Sequence, residues 1–171
     1  MAVKYFEWRG YSPMIPSEEL TTQGSTNQFM MTKGGGGTTS LAQWSGKAWF
    51  KGVIEQSHEP QLVVIKCPSK DLSGREIDLH ASLGNFSLMH GVTFSEEHDD
   101  ERKEVILIPM MVLQYVEQGN LRNFLATHHI HLTVNDKLQL AKGITEGLMF
   151  LHLRFVLHGD LHSGNVLVDN H

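Results

Sequence analysis

Short apolar runs punctuated by turn residues fill the chain between Lys47 and Tyr115, and a three-to-four-residue apolar repeat takes over beyond Gly119. Lys47-Ala48-Trp49-Phe50-Lys51-Gly52-Val53-Ile54 and Leu62-Val63-Val64-Ile65 are bounded by Ser57-His58-Glu59-Pro60 and by Pro68-Ser69. That pattern predicts two strands joined by a turn. Asp71 to about Leu83 carries Leu72, Ile77, Leu79 and Leu83 among charges, the pattern of a short helix whose first turn is weakened by Gly74. Phe86 to Phe94 and Val105 to Tyr115 predict two more strands, and the acidic Glu96-Glu97-His98-Asp99-Asp100-Glu101 between them predicts a solvated hairpin loop. Past Gly119, Leu121, Phe124 and Leu125 share one helical face, and Leu138, Ala141, Ile144, Leu148 and Leu151 define a second helix. Thr133 is placed to cap that helix, with Asp136 three residues on near the positive end of its dipole. Strands first and helices after predict an α+β architecture rather than an alternating parallel sheet.

Upstream of these elements, residues 1–28 mix Pro13, Pro16 and Gly24 with the polar run Thr21 to Asn27 and show neither period, which predicts a flexible arm. Four consecutive glycines follow, Gly34 to Gly37, and then Thr38-Thr39-Ser40. A run with no side chains has to be a loop. Two uses are open to it, a linker or a loop that wraps phosphates, and composition alone favours the linker.

With 171 residues the chain accommodates one full domain or a fragment of something larger. Apolar residues at 40% against 19% charged exclude a charge-rich disordered chain. A net charge of −5 gives no general attraction to nucleic acid or anionic lipid. The single Cys67 excludes an intramolecular disulfide framework. Since no apolar stretch reaches the roughly 20 residues of a membrane span and Met1-Ala2-Val3-Lys4 leads into no signal-peptide run, a soluble, cytoplasmic protein is expected. His128, His129 and His131, without cysteine or spaced acids, read as a solvated loop rather than a zinc site. The eight methionines read as core filler and Cys67 as an inert thiol.

The chemistry is concentrated near the end, in Val156-Leu157-His158-Gly159-Asp160-Leu161-His162-Ser163-Gly164-Asn165-Val166-Leu167-Val168. Here a polar loop after a helix holds an aspartate and, five residues on, an asparagine. His158, Asp160, Leu161 and Asn165 resemble in type and spacing the protein-kinase catalytic loop, H-R-D-L-x-x-x-N, with Gly159 in place of the arginine. Further landmarks fall in that family's order. Val63-Val64-Ile65-Lys66 resembles the strand whose lysine meets the α/β-phosphates, and Glu76 the helix glutamate that holds it. Met111 to Leu121 resembles the hinge between lobes, and Trp44 to Gly52 the end of the glycine-rich loop with its following strand.

The resemblance, over about Phe29 to Asp169, implies a protein-kinase-like fold with tyrosine-kinase-like affinities. It places an N-lobe and hinge over 29–118 and the start of a C-lobe through the catalytic loop over 119–171. It implies ATP and Mg2+ as cofactors and a protein substrate or docking partner, with no nucleic acid. Asp160, Lys66 and Glu76 become the candidate catalytic residues. Gly46, Ala48, Val64, Lys66, Leu113, Gln114, Val116 and Asn165 become the nucleotide contacts, with Asn165 also a metal ligand. Leu113 would be the gatekeeper. Lys66 supplies charge to a triphosphate, Asp160 orients the acceptor hydroxyl, and Asn165 offers Mg2+ a hard oxygen.

The chain also departs from the pattern. If Gly46 is the third glycine of G-x-G-x-x-G, the first two positions are Leu41 and Gln43, and Gly34 to Gly37 sit too early unless the loop carries an insertion. Only nine residues separate Lys66 from Glu76, so the helix should have lost its first turn. Gly159 replaces the arginine that pairs with a phosphorylated activation segment, and His162-Ser163-Gly164 matches neither the serine/threonine nor the tyrosine-kinase form. The Asp-Phe-Gly metal site does not appear before His171, so a truncated domain, inactive on its own, is expected. Two other readings stand beside the kinase: a non-catalytic pseudokinase or interaction module, and an aminoglycoside-phosphotransferase-like small-molecule kinase suggested by His158 to Asn165.

Overall fold

The computed structural model describes residues 13–22, 32–34, 37–50, 53–56, 58–68, 73–83, 88–99 and 103–169. Most of the arm, Gly35 and Gly36, Asp71 and Leu72, Phe86, and Asp100 to Glu101 lie outside them. The chain divides into two units, Met1–Tyr115 and Val116–His171.

The first unit is built on an antiparallel sheet in the order β1-β3-β6-β8-β7. Its strands are β1 (Leu20–Thr22), β2 (Thr32–Gly34), β3 (Gly37–Trp44), β6 (Gln61–Pro68), β7 (Met89–Asp99) and β8 (Glu104–Gln114), with β2 also paired to β3. β1 and β2 lie along the same edge of β3, opposite its C-terminal and N-terminal ends respectively. A separate hairpin joins β4 (Lys47–Phe50) to β5 (Val53–Gln56), so the apolar run expected as one strand is folded back on itself. Helix α1 (Ser73–Leu83) follows β6. Strand-rich and then helical, the architecture is the α+β, protein-kinase-like one expected.

Period-two alternation decides which side chain serves which face of the sheet. Val63 and Ile65 of β6 join Ala42, Trp44, Met110 and Val112 in one buried cluster, together with Ala48 and Ile15. Val64 and Lys66, the intervening residues, therefore face the other side, where Ile77 of α1 packs on Val92 and Met111 with Met89, Phe94 and Leu113 around them. Trp44 is fully buried, and its indole N–H donates to the Lys47 carbonyl at 2.8 Å. The His58 and His90 rings lie 5.3 and 5.1 Å from it. Burial holds His90 below the usual histidine pKa, with His58 adding to the effect.

Two expectations are corrected here. Part of the supposed arm is core: Ile15 is 1% exposed, its N–H donates to Val92 O at 2.8 Å, and Met14 O accepts from Trp49 N at 2.7 Å. Isolated apolar residues between prolines carry no period, so the sequence pattern missed them. The acidic run is not a loop over its first four residues either. The β7–β8 ladder continues through Glu96↔Leu107, Glu97↔Ile106 and His98↔Val105 to Asp99↔Glu104. Glu96 and Glu97 are exposed, and a two-stranded ribbon in water tolerates charge that a sheet interior would not.

The second unit holds α2 (Leu121–His128) and α3 (Val134–His152). The Asn120 side chain caps α2 by accepting from Asn123 N at 3.0 Å. Thr133 and Asp136 form a reciprocal capping box on α3, and the Thr133 hydrogen bonds hold the Asp136 carboxyl below its ordinary pKa. No residue of α3 is buried; Leu138 is exposed, while Ile144 and Leu148 are half-buried.

Ile15 supplies the test of the arm. Ile15→Ala should lower the unfolding free energy by about 2–5 kcal/mol, the usual cost of such a core truncation, measured by urea denaturation. A change below about 0.5 kcal/mol, the range of ordinary surface substitutions, would return the segment to the surface.

Candidate functional site

Candidate residues fall in both units. In the first, Lys66 near the end of β6 reaches Glu76 on α1, Nζ to Oε1 2.5 Å, with both side chains about three-quarters buried. The contact follows from construction. Lys66 alternates onto the α1 face, and Ile77, fully buried beside Glu76, seats that turn of helix against the sheet. Over the described residues α1 runs from Ser73, Asp71 and Leu72 lying outside them, and the pair forms. His80 lies one turn beyond Glu76. Burial lowers its pKa first, Glu76 opposes that, and Lys66 adds to the lowering.

The glycine run lies close to this pair in register. β2 and β3 close on each other at Gly34↔Gly37, so the chain reverses there, and Thr39 is the partner of Lys66. From Gly37 to Thr39 is two residues, about 7 Å of strand. Gly46 sits beyond the other end of β3: Trp44 pairs with Gln61, five residues or about 17 Å from Thr39 along the strand. Its glycine has a local reason. The backbone φ is +88°, and a Cβ would fall on the carbonyl oxygen of His58.

The structure thus separates the residues that the sequence grouped as nucleotide contacts. Ala48 is fully buried in β4, opposite Glu55 in register, and belongs to the cluster around Trp44. Val64 pairs with Leu113, and Lys66 with Met111, on the α1 side. Gln114 donates its N–H to Leu88 O at 2.6 Å, while the Val116 carbonyl accepts from Gly119 N at 3.0 Å. The hinge segment therefore spans the boundary between the units.

In the second unit the loop from His158 to Asn165 is anchored to the start of α2. Leu121 N donates to Val166 O at 2.8 Å, Arg122 N to Ser163 O at 3.0 Å, and Val168 N to Gly119 O at 2.9 Å. Within it, Asn165 Nδ2 donates to both the backbone oxygen and Oδ2 of Asp160, each at 2.9 Å. His158 Nδ1 accepts from Asp160 N at 3.3 Å. The glycine at 159 has a backbone cause: φ is +74°, a region that L side chains disfavour, and no neighbour lies within 4 Å.

The chain belongs to the protein tyrosine and serine/threonine kinase family, which it matches over residues 33–171. A probable serine/threonine-protein kinase of Dictyostelium discoideum is 34% identical over 58 residues, 34% of this chain and 14% of the relative. A second from that organism is 26% identical over 133 residues, 77% of this chain and 20% of the relative. Ephrin type-A receptor 6 of Rattus norvegicus is 36% identical over 61 residues, 36% of this chain and 6% of the relative. The chain therefore spans a fifth or less of the length of each. Among the described residues, no helix is long and apolar enough to cross a membrane.

The sequence does carry a signal that the glycine run joins two strands, though not where that hairpin lies relative to Lys66. Thr32-Lys33 before it and Thr38-Thr39-Ser40 after it are short β-favouring flanks around a turn, the mark of a hairpin.

Two outcomes test this geometry. Lys66→Met should raise the His80 pKa, because a nearby positive charge is lost, and Glu76→Gln should lower it, read by NMR titration. Equal values in all three proteins would place His80 outside the pair's field. Gly159→Arg should cost about 1–2 kcal/mol through left-handed backbone strain alone, checked by denaturation against Gly159→Asn, which tolerates that conformation better.

Proposed function

We propose that this chain is the nucleotide-binding and catalytic-loop part of a protein kinase that binds ATP with Mg2+. In the intact domain it transfers the γ-phosphoryl group to a protein hydroxyl. The observation that carries the reading is the Lys66–Glu76 pair. A lysine in a strand, held at 2.5 Å by a helix glutamate, is a fixed cation whose remaining N–H donors are available to phosphate oxygens.

The residues fit the cofactors. Asn165 directs its Nδ2 to Asp160, so its carbonyl Oδ1 is the atom left to meet a cation, a neutral hard oxygen of the kind Mg2+ prefers. Bound Mg2+ supplies charge neutralisation at the phosphates. Asp160 keeps Oδ2 on Asn165, which leaves Oδ1 to accept a hydrogen bond from an acceptor hydroxyl and orient it. The glycine turn at Gly34–Gly37, two residues in register from the partner of Lys66, is the better candidate for backbone donors to phosphate than Gly46. Val64, Leu113, Gln114 and Val116 remain candidates for the base, and Ala48 does not, being enclosed on the opposite face.

ATP with Mg2+ should raise the thermal midpoint of the purified chain, because a ligand at about a hundredfold its Kd stabilises by about 2.7 kcal/mol. Lys66→Met should abolish the shift. A shift that survives Lys66→Met, or none in the wild type at millimolar nucleotide, would contradict nucleotide binding at this pair.

A further inference from the structure

We propose that His162 is a positioning residue for Asp160, holding the carboxylate so that Oδ1 faces the acceptor hydroxyl. This inference rests on the kinase reading above and extends it to a residue to which that reading gives no task.

One hydrogen bond and a close backbone neighbour hold the ring. Gly164 N donates to His162 Nδ1 at 3.0 Å, and a backbone N–H donates only to a ring nitrogen that carries no proton. The neutral ring therefore carries its proton on Nε2. Nε2 lies 3.6 Å from Asp160 Oδ2, beyond hydrogen-bond length but in electrostatic contact. The His162 carbonyl in turn accepts from Asn165 N at 2.9 Å. Gly164 completes the seat: a Cβ there would come within 2.8 Å of the ring, so only glycine leaves it room. His162, Gly164 and Asn165 thus act as one unit around the aspartate.

The consequence falls on the carboxylate. Its side chain is 77% exposed, so packing does nothing to restrict its rotation. Oδ2 instead accepts from Asn165 Nδ2 at 2.9 Å, and His162 Nε2 lies 3.6 Å from the same oxygen. With Oδ2 engaged, Oδ1 is the oxygen presented outward. An exposed contact of this kind contributes little to folding, so its effect belongs to the reaction and not to the melting temperature.

Steady-state phosphotransfer by the full-length protein that contains this chain tests the assignment, with His162→Ala, His162→Gln and Gly164→Ala compared with wild type. His162→Ala should lower kcat about tenfold, within the range expected for a misplaced catalytic group, with the KM for ATP and the thermal midpoint unchanged. His162→Gln keeps a side-chain N–H donor and should restore most of the loss. Gly164→Ala should reproduce the defect by displacing the ring, without adding to it in the double variant. Unchanged kcat in His162→Ala, or equal losses in Ala and Gln, would overturn the proposal. A wild-type protein that transfers no phosphate would instead overturn the kinase reading. In that case ring 15N shifts of His162 in the 171-residue chain still decide the contact: an Nε2–H tautomer that moves the Asn165 side-chain amide on His162→Ala supports it, and an Nδ1–H tautomer overturns it.

Discussion

The ion pair between Lys66 and Glu76 is the contact on which the nucleotide site proposed for the first unit depends. Two side chains with long stems meet at 2.5 Å only if the strand and the helix beneath them are both fixed. The strand is held on two sides, by β3 through Gly37↔Pro68 to Trp44↔Gln61 and by β8 through Val63↔Gln114 to Lys66↔Met111. The helix is held by Ile77, which inserts into the apolar layer beside Val92 and Met111. The pair therefore reports the packing of the whole sheet. Each side chain is about a quarter exposed, so the pair is only partly withdrawn from water.

The opposite face of the same sheet carries the larger apolar cluster. Trp44, Val63, Ile65 and Val112 fill it, with Ile15 contributed from the N-terminal segment. Ala48 and Gly46, which resemble a nucleotide loop in sequence, also have packing tasks here. Ala48 fills that core, and Gly46 allows the close approach of the His58 carbonyl. A short string can match a motif by residue type while the register of the sheet assigns it elsewhere.

How much was legible in the sequence follows from what is local and what is not. α2 and α3 were readable because apolar spacing and a Thr133–Asp136 cap are local signals. The polar sequence from His158 to Asn165 was readable for the same reason: aspartate and asparagine meet across five residues of one loop. Lys66 and Glu76 were identified from type and order, since their contact requires only a strand followed by a helix. The position of the glycine run was not legible, because it depends on β3 pairing Thr39 with Lys66 across more than twenty residues of intervening chain. Ile15 escaped for a similar reason, its partners being on β7 and in the Trp44 cluster. Charge along Glu96 to Asp99 signals a loop by composition, whereas a paired ribbon in water accommodates it.

Amide chemical-shift mapping of the isotopically labelled chain, titrated with ATP and Mg2+, tests the central claim most directly: the Lys66–Glu76 face of the sheet, with the glycine turn beside it, is where nucleotide binds. The account predicts saturable shifts at Gly34, Gly37, Thr39 and Lys66, with Gly46 and Ala48 unmoved. Shifts centred on Gly46 and Ala48, with Lys66 and the glycine turn unaffected, would contradict it.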